Sequence, residues 1–216
     1  MNRFFNYDNG IMQTLSKIFD CICINLLWLV CCIPIFTIGV SSSAYYYAYN
    51  KAIRQRRSYA CREFFHGLKL NFKQSTKVWL LVFLLYIVTL MDCRILGAIA
   101  GTVKYAGVLQ AVILSVIVLI TMWVIYLFPY MARFEAGTKA VIKNCAIIMV
   151  ANLLWSILLL ILFVAAVFAF VFLPGLGMLF APIIYMVLAN LILERIFRKY
   201  MSPEDLEAEK EIDMYK

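Results

Sequence analysis

Charged residues are scarce in this chain, and their scarcity decides the class of protein. Only 15% of the 216 residues are charged, whereas 65% are hydrophobic, and the mean hydropathy is +0.89. A soluble domain carries about 25% charged residues, which it needs to cover its surface. A soluble globular fold is therefore excluded. We predict an all-α integral membrane bundle that forms a single domain over 1–216.

The residue types that build most catalytic and metal centres are also rare. Histidine occurs once, at His66, among lysines, so neither a histidine metal site nor a catalytic triad can be assembled. None of the seven cysteines has CxxC spacing. Neither GxxxxGK[ST] nor GxGxxG occurs, so nucleotide binding has no support. We therefore expect no enzyme, and neither a metal nor another cofactor.

Long apolar stretches are present instead. A transmembrane helix needs about 20 mostly apolar residues, and five stretches qualify: 21–40, 78–100, 106–128, 145–173 and 177–193. The last two are separated by Leu173-Pro174-Gly175-Leu176-Gly177, because proline and glycine break a helix. We predict about five transmembrane helices.

Lysine and arginine are distributed unevenly between the two sides of such a bundle. One side would hold 14 of them, including 8 in the 41–77 connection, and the other side only 4. Positive residues are retained in the cytoplasm. We therefore expect the N-terminus outside and the C-terminus in the cytoplasm, followed there by an acidic, solvated tail over 202–216.

The basic connection over 41–77 has helical periodicity. In its second half, apolar residues recur with the spacing of one helical face, and the basic residues take the opposite face. This pattern predicts amphipathic cytoplasmic helices after the first span. The apolar face of the second one would consist of Phe64, Phe65, Leu68 and Phe72.

Two interpretations of that face remain open. It could lie on the lipid surface, where aromatic and basic residues both bind favourably. Alternatively, it docks onto a partner protein or onto the protein's own bundle. A nucleic-acid partner is not expected, because the basic face would be pressed against lipid phosphate.

A few polar residues lie inside the apolar stretches and form a candidate intramembrane polar site. A charge in hydrocarbon is costly and therefore marks a functional hypothesis. Asp92 either binds a polar ligand or an ion, or it marks the end of the second span together with Arg94. Asn25 and Asn152 each precede a tryptophan by three residues, and they predict interhelical hydrogen bonds rather than a binding pocket.

Several segments together resemble a known family. They are Asn25-Leu26-Leu27-Trp28, Pro34, Thr37-Ile38-Gly39, Ala44-Tyr45-Tyr46 and Asn71-Phe72-Lys73-Gln74-Ser75. They resemble the N-terminal signature of the YesL-like family of bacterial multi-pass membrane proteins, whose function is unknown. The resemblance implies a companion of carbohydrate ABC uptake systems in the bacterial cell membrane, and it supplies no catalytic residues.

Two functions from different classes follow as expectations. The first is an accessory interaction protein, embedded in the lipid bilayer and associated with the subunits of a carbohydrate ABC uptake system. The second is a small transporter or channel for a small solute, acting as a homo-oligomer, with Asp92, Asn25 and Asn152 lining its path.

The charge distribution makes a prediction about topology. A reporter enzyme that is active only outside the cell, fused after Lys216, should be silent because the basic connections hold the C-terminus in the cytoplasm. The measurement is reporter activity in intact cells, and a fusion to a reporter active only in the cytoplasm is the control. Activity of the external reporter would contradict the orientation.

Overall fold

The computed structural model describes residues 10–54, 59–99, 105–201, 203, 204, 206 and 207. Those residues are helical with short connections and contain no strand, which confirms the all-α prediction. The α-helices among them are α1 (Gly10–Cys31), α2 (Ile38–Ala48), α3 (Ala60–Ile99), α4 (Ala106–Arg133), α5 (Thr138–Ala151), α6 (Leu153–Phe172) and α7 (Leu176–Phe197). The acidic tail predicted over 202–216 lies outside the described residues, apart from the four positions named above.

Four regions of the described helices are long and apolar enough to cross a membrane. They are Ala60–Ala98, Gly107–Arg133, Leu153–Phe172 and Leu176–Tyr200. The protein is therefore a membrane-embedded helical protein, as its composition predicts. The count of about five crossings is not confirmed by these four.

The stretch over 21–40 is not one helix. Within it α1 ends, a break contains Pro34, and α2 begins. Proline has no N–H to continue a helix, and the hydroxyl of Thr37 donates to the carbonyl of Cys31 at 2.6 Å, so this helix end is satisfied. The rings of Trp28 and Tyr45 lie 5.9 Å apart. Helices α1 and α2 therefore pack side by side as a hairpin.

Helix α2 is enclosed by its neighbours on nearly every side. All of its residues from Gly39 to Ala48 except Ser42 are buried, so α2 is a core helix rather than an amphipathic surface helix. A Cβ atom added to Gly39 would lie 2.5 Å from the Cβ of Trp79 on α3 and 2.7 Å from the ring of Phe128 on α4. Both helices therefore contact the backbone of α2 directly.

Helix α3 joins two elements that the sequence separated. The basic amphipathic helix and the span predicted over 78–100 form one helix of 40 residues. At about 1.5 Å per residue this helix is about 60 Å long, roughly twice the thickness of a hydrocarbon core. A single crossing by residues 78–99, the crossing half, therefore does not require the basic half, 60–77.

Two further boundaries differ from the sequence expectation. The span predicted over 145–173 is divided between α5 and α6, because Asn152 adopts a non-helical backbone conformation (φ −122°, ψ 46°) between them. The span predicted over 106–128 continues to Arg133, with Pro129 inside α4. Proline kinks or breaks most helix interiors, but here the helix persists for one more turn beyond it.

The close approach at Gly39 makes a prediction about stability. Gly39→Ala should lower the free energy of unfolding by about 1–3 kcal/mol, because the new methyl group overlaps two packed side chains. The measurement is thermal unfolding of the purified protein in detergent. Gly107→Ala is the matched control, since a Cβ atom added there meets nothing within 4 Å. Equal unfolding temperatures for the two variants would contradict the packing described.

Candidate functional site

A buried carboxylate lies where α7 approaches its end. The side chain of Glu194 is only 4% exposed. Its Oε1 atom accepts hydrogen bonds from the Tyr46 hydroxyl and from Asn50 Nδ2, both at 2.9 Å. Its Oε2 atom lies 2.6 Å from Nη1 of Arg54 and 3.6 Å from Nη2 of Arg133. We call these five residues the Glu194 cluster.

Hydrogen bonds and ion pairs within the Glu194 cluster join four parts of the fold. Tyr46 belongs to α2, Asn50 and Arg54 to the π-helical turn Tyr49–Arg54, Arg133 to α4 and Glu194 to α7. A buried charge is tolerated only when it is paired and hydrogen-bonded. One carboxylate faces two guanidinium groups, so the cluster carries a formal net charge of plus one.

Tyr46 donates to this carboxylate as a neutral phenol. Burial, together with the neighbouring Glu194 carboxylate, holds the pKa of Tyr46 well above its usual range. Its hydroxyl therefore keeps its proton and remains a donor. Asn50 is fixed in turn, because its Oδ1 atom accepts a hydrogen bond from Arg54 Nη1 at 3.1 Å.

A polar cleft of about 610 Å³ adjoins the Glu194 cluster. It lies between the π-helical turn, the basic half of α3 and the end of α4 with the connection that follows. Asn50 and Arg133 belong to both the cleft and the cluster. The other polar lining residues are Lys51, His66, Asn71, Gln74 and Glu135.

Tyr47 positions two basic side chains at the edge of this cleft. The Nζ atom of Lys51 lies 4.9 Å from the centre of the Tyr47 ring, and the ring of His66 lies 5.9 Å from it. Such cation–π contacts orient an ammonium group without neutralising it. Tyr47 can approach α3 this closely because residue 67 is glycine; a Cβ atom there would lie 2.9 Å from Tyr47 Cδ1.

Two amides hold the opposite wall in place. Asn71 Nδ2 donates to the carbonyl of Met131 at 3.1 Å, and Gln74 Nε2 donates to the carbonyl of Ala136 at 2.7 Å. Both bonds tie α3 to the end of α4 and the connection after it. Within the described residues, the side-chain oxygens of Asn71 and Gln74 accept no hydrogen bond, so they remain acceptors in the cleft wall.

A second cavity is apolar and lies among the apolar helices. It has a volume of about 500 Å³ and is lined by residues of α2, α3, α4, α6 and α7, including Trp79, Phe163 and Tyr185. Tyr46 also lines it. Tyr46 thus contacts both this cavity and, through its hydroxyl, the carboxylate of Glu194.

The structure divides the predicted apolar face of α3. Phe64 is fully buried in the core and Leu68 packs against that core, whereas Phe65 and Phe72 are exposed. Asn71 and Ser75 occupy buried positions on the same side as Phe64. The four predicted residues therefore do not form one common surface.

The predicted intramembrane polar residues serve separate purposes. Asp92 is exposed on α3. Asn25 is buried, and its amide donates to the carbonyls of Met178 at 3.3 Å and Leu179 at 2.9 Å. Asn152 donates to the carbonyl of Ile148 and to the hydroxyl of Tyr200. Across the described part of the chain, no hydrogen bond or ion pair joins Asp92, Asn25 and Asn152 to one another.

The Glu194 cluster was not predicted from the sequence, although the sequence contains a pattern that indicates it. Tyr46, Asn50 and Arg54 are spaced by four residues, which places them on one side of a helix. Glu194 is the first charge after a long uncharged run. Together these features indicate that one side of a helix is polar and that a carboxylate needs a partner, and the structure brings the two together.

Comparison with known proteins covers the first part of this site. Residues 21–93 match the family model described as "Protein of unknown function, DUF624". No curated protein and no solved structure matches the chain. The matched range contains Tyr46, Asn50, Arg54 and the α3 wall of the cleft, whereas Arg133 and Glu194 lie beyond it. The similarity is to an uncharacterised family, so it assigns no activity.

The Glu194 cluster makes a prediction about stability. Glu194→Gln should lower the free energy of unfolding by about 1–3 kcal/mol, because the negative charge that accepts these hydrogen bonds and faces the two guanidinium groups would be removed. Thermal unfolding in detergent is the measurement. Glu135→Gln makes the same chemical change at an exposed position and should have little effect. If both variants unfold at the same temperature, the cluster does not stabilise the fold.

Proposed function

We propose that this chain is a non-enzymatic interaction protein of the bacterial cell membrane, and that the basic half of α3 is its docking element. The observation that carries the proposal is the continuity of α3 from Ala60 to Ile99. A helix that lay flat on the lipid surface and then crossed the membrane would have to bend between its two halves. An unbroken helix of about 60 Å instead projects its basic half away from the hydrocarbon.

The surface available on that half combines aromatic and basic residues. Phe65 is 48% exposed and Phe72 is 40% exposed, and both lie on the outward side of α3. Three exposed basic residues lie beside them: Arg62, Lys69 and Lys73. We call these five residues the α3 strip. The opposite side of the helix is buried, so the fold itself does not need the α3 strip.

The chemistry of the α3 strip favours a protein with an acidic surface. Exposed aromatic residues anchor protein interfaces, and charged residues at the rim select the partner and speed association. The distribution of lysine and arginine supports a cytoplasmic location for this surface. The YesL-like resemblance implies a carbohydrate ABC uptake system, and we propose the cytoplasmic side of its permease subunits as the partner.

A small transporter is the alternative proposal, and it has less support. Asp92, the residue on which it chiefly depends, is exposed on α3. The amide groups of Asn25 and Asn152 donate within the fold. A solute path would have to be formed by other residues or by several copies of the chain.

Replacing the two aromatic residues of the α3 strip tests the proposal. Phe65→Ala combined with Phe72→Ala should weaken co-purification with the permease subunits in mild detergent at least tenfold, because interface anchors typically contribute more than about 1 kcal/mol each. The control combines Leu81→Ala and Leu84→Ala, which removes exposed apolar side chains from the crossing half of the same helix.

Two outcomes would count against this function. Wild-type protein that recovers no permease subunit would remove the proposed partner. Recovery by the Phe65→Ala, Phe72→Ala variant at the wild-type level would show that the α3 strip is not the docking element.

A further inference from the structure

The polar cleft holds basic groups that the fold does not neutralise. Lys51 contacts the ring of Tyr47, and within the described residues it has no carboxylate partner. His66 lies against the same ring. Among the described residues, the charged side chains that line the cleft are Lys51, Arg133 and Glu135. Arg133 faces the carboxylate of Glu194, whereas Lys51 pairs with neither carboxylate. Lys51 therefore gives the cleft a positive charge that can attract an anion.

The same cleft also presents hydrogen-bond acceptors. Asn71 and Gln74 use their amide nitrogens to hold backbone carbonyls, which leaves their oxygens in the wall. An amide oxygen accepts hydrogen bonds and donates none. A bare oxyanion cannot satisfy these groups, whereas a ligand with hydroxyl groups can.

We propose that the polar cleft binds a phosphate ester that carries free hydroxyl groups. The phosphate would bind at Lys51 and His66, since ammonium and imidazole N–H groups donate hydrogen bonds to phosphate oxygens. The hydroxyl groups would donate to Asn71 and Gln74. A volume of about 610 Å³ is typical of sites for small organic molecules and larger than a phosphate ion requires.

Two sources could supply this chemistry to a membrane protein. One is a soluble polyol phosphate, and the other is the phosphoglycerol headgroup of an anionic lipid. Both contain the same recognised atoms, so binding experiments have to separate them. This proposal is independent of the α3 strip, because the exposed residues of that strip do not line the cleft.

The first experiment measures thermal unfolding of the full chain in detergent against increasing glycerol 3-phosphate. The unfolding temperature of the wild type should rise with ligand concentration. Lys51→Met should weaken the apparent affinity about tenfold, the loss expected when one charge-assisted hydrogen bond is removed. Lys69→Met is the matched control, because it removes the same charge from an exposed position outside the cleft, and it should bind as the wild type does.

The second experiment tests recognition of the hydroxyl groups. Gln74→Met removes the acceptor, together with the bond from Gln74 Nε2 to the carbonyl of Ala136, without changing charge. It should therefore weaken the binding of glycerol 3-phosphate more than it weakens the binding of inorganic phosphate. Gel filtration and circular dichroism establish that each variant is folded. If Gln74→Met weakens both probes equally, hydroxyl recognition is wrong.

The third experiment separates the two sources. The same variants are compared in nanodiscs of phosphatidylcholine with and without phosphatidylglycerol. Stabilisation by phosphatidylglycerol alone, lost in Lys51→Met, supports the lipid headgroup, and Lys51-dependent stabilisation by glycerol 3-phosphate supports the soluble ester. An equal response of Lys51→Met and Lys69→Met, or no response of the wild type to either probe, would overturn the proposal.

Discussion

The carboxylate of Glu194 is a charge that this fold has to neutralise internally, and the positions of several helices follow from that requirement. Tyr46 on α2, Arg54 on the π-helical turn and Arg133 on α4 all contact it. An unpaired buried charge would cost several kcal/mol, by the usual order of magnitude, so these elements cannot separate independently. The wider π-helical turn, a conformation common at functional sites, brings Asn50 and Arg54 to the same carboxylate.

The sequence revealed the class of protein and most of its helices, but not where several of them end. Low charge and long apolar runs were sufficient to predict a helical membrane protein, and Pro174 with Gly175 correctly divided α6 from α7. Between the two halves of α3 the chain has neither proline nor glycine, so nothing in the pattern forces a boundary, and the helix continues. Over 21–40 one span was predicted from the hydrophobic residues, although Pro34 divides the segment between α1 and α2.

The candidate site was predicted less well, because hydrophobic periodicity does not locate buried polar residues. Hydrophobic periodicity identifies the buried face of a helix in water, but a lipid-facing surface is as apolar as a protein interior. On α3 the exposed positions accordingly include Leu84 and Leu85, whereas buried positions include Asn71 and Ser75. Asn71 lines the cleft, and a pattern that follows apolar residues cannot find interior polar residues of this kind.

Tyr46 connects the apolar cavity with the surroundings of the polar cleft. It lines the apolar cavity, and its hydroxyl donates to the Glu194 carboxylate beside the polar cleft. A substitution at this position therefore affects both the apolar cavity and the Glu194 cluster. A smaller residue at position 46 would enlarge the apolar cavity and would also remove the hydrogen bond to Glu194. Any change in what the apolar cavity can hold therefore has to preserve the charge pairing beside the polar cleft.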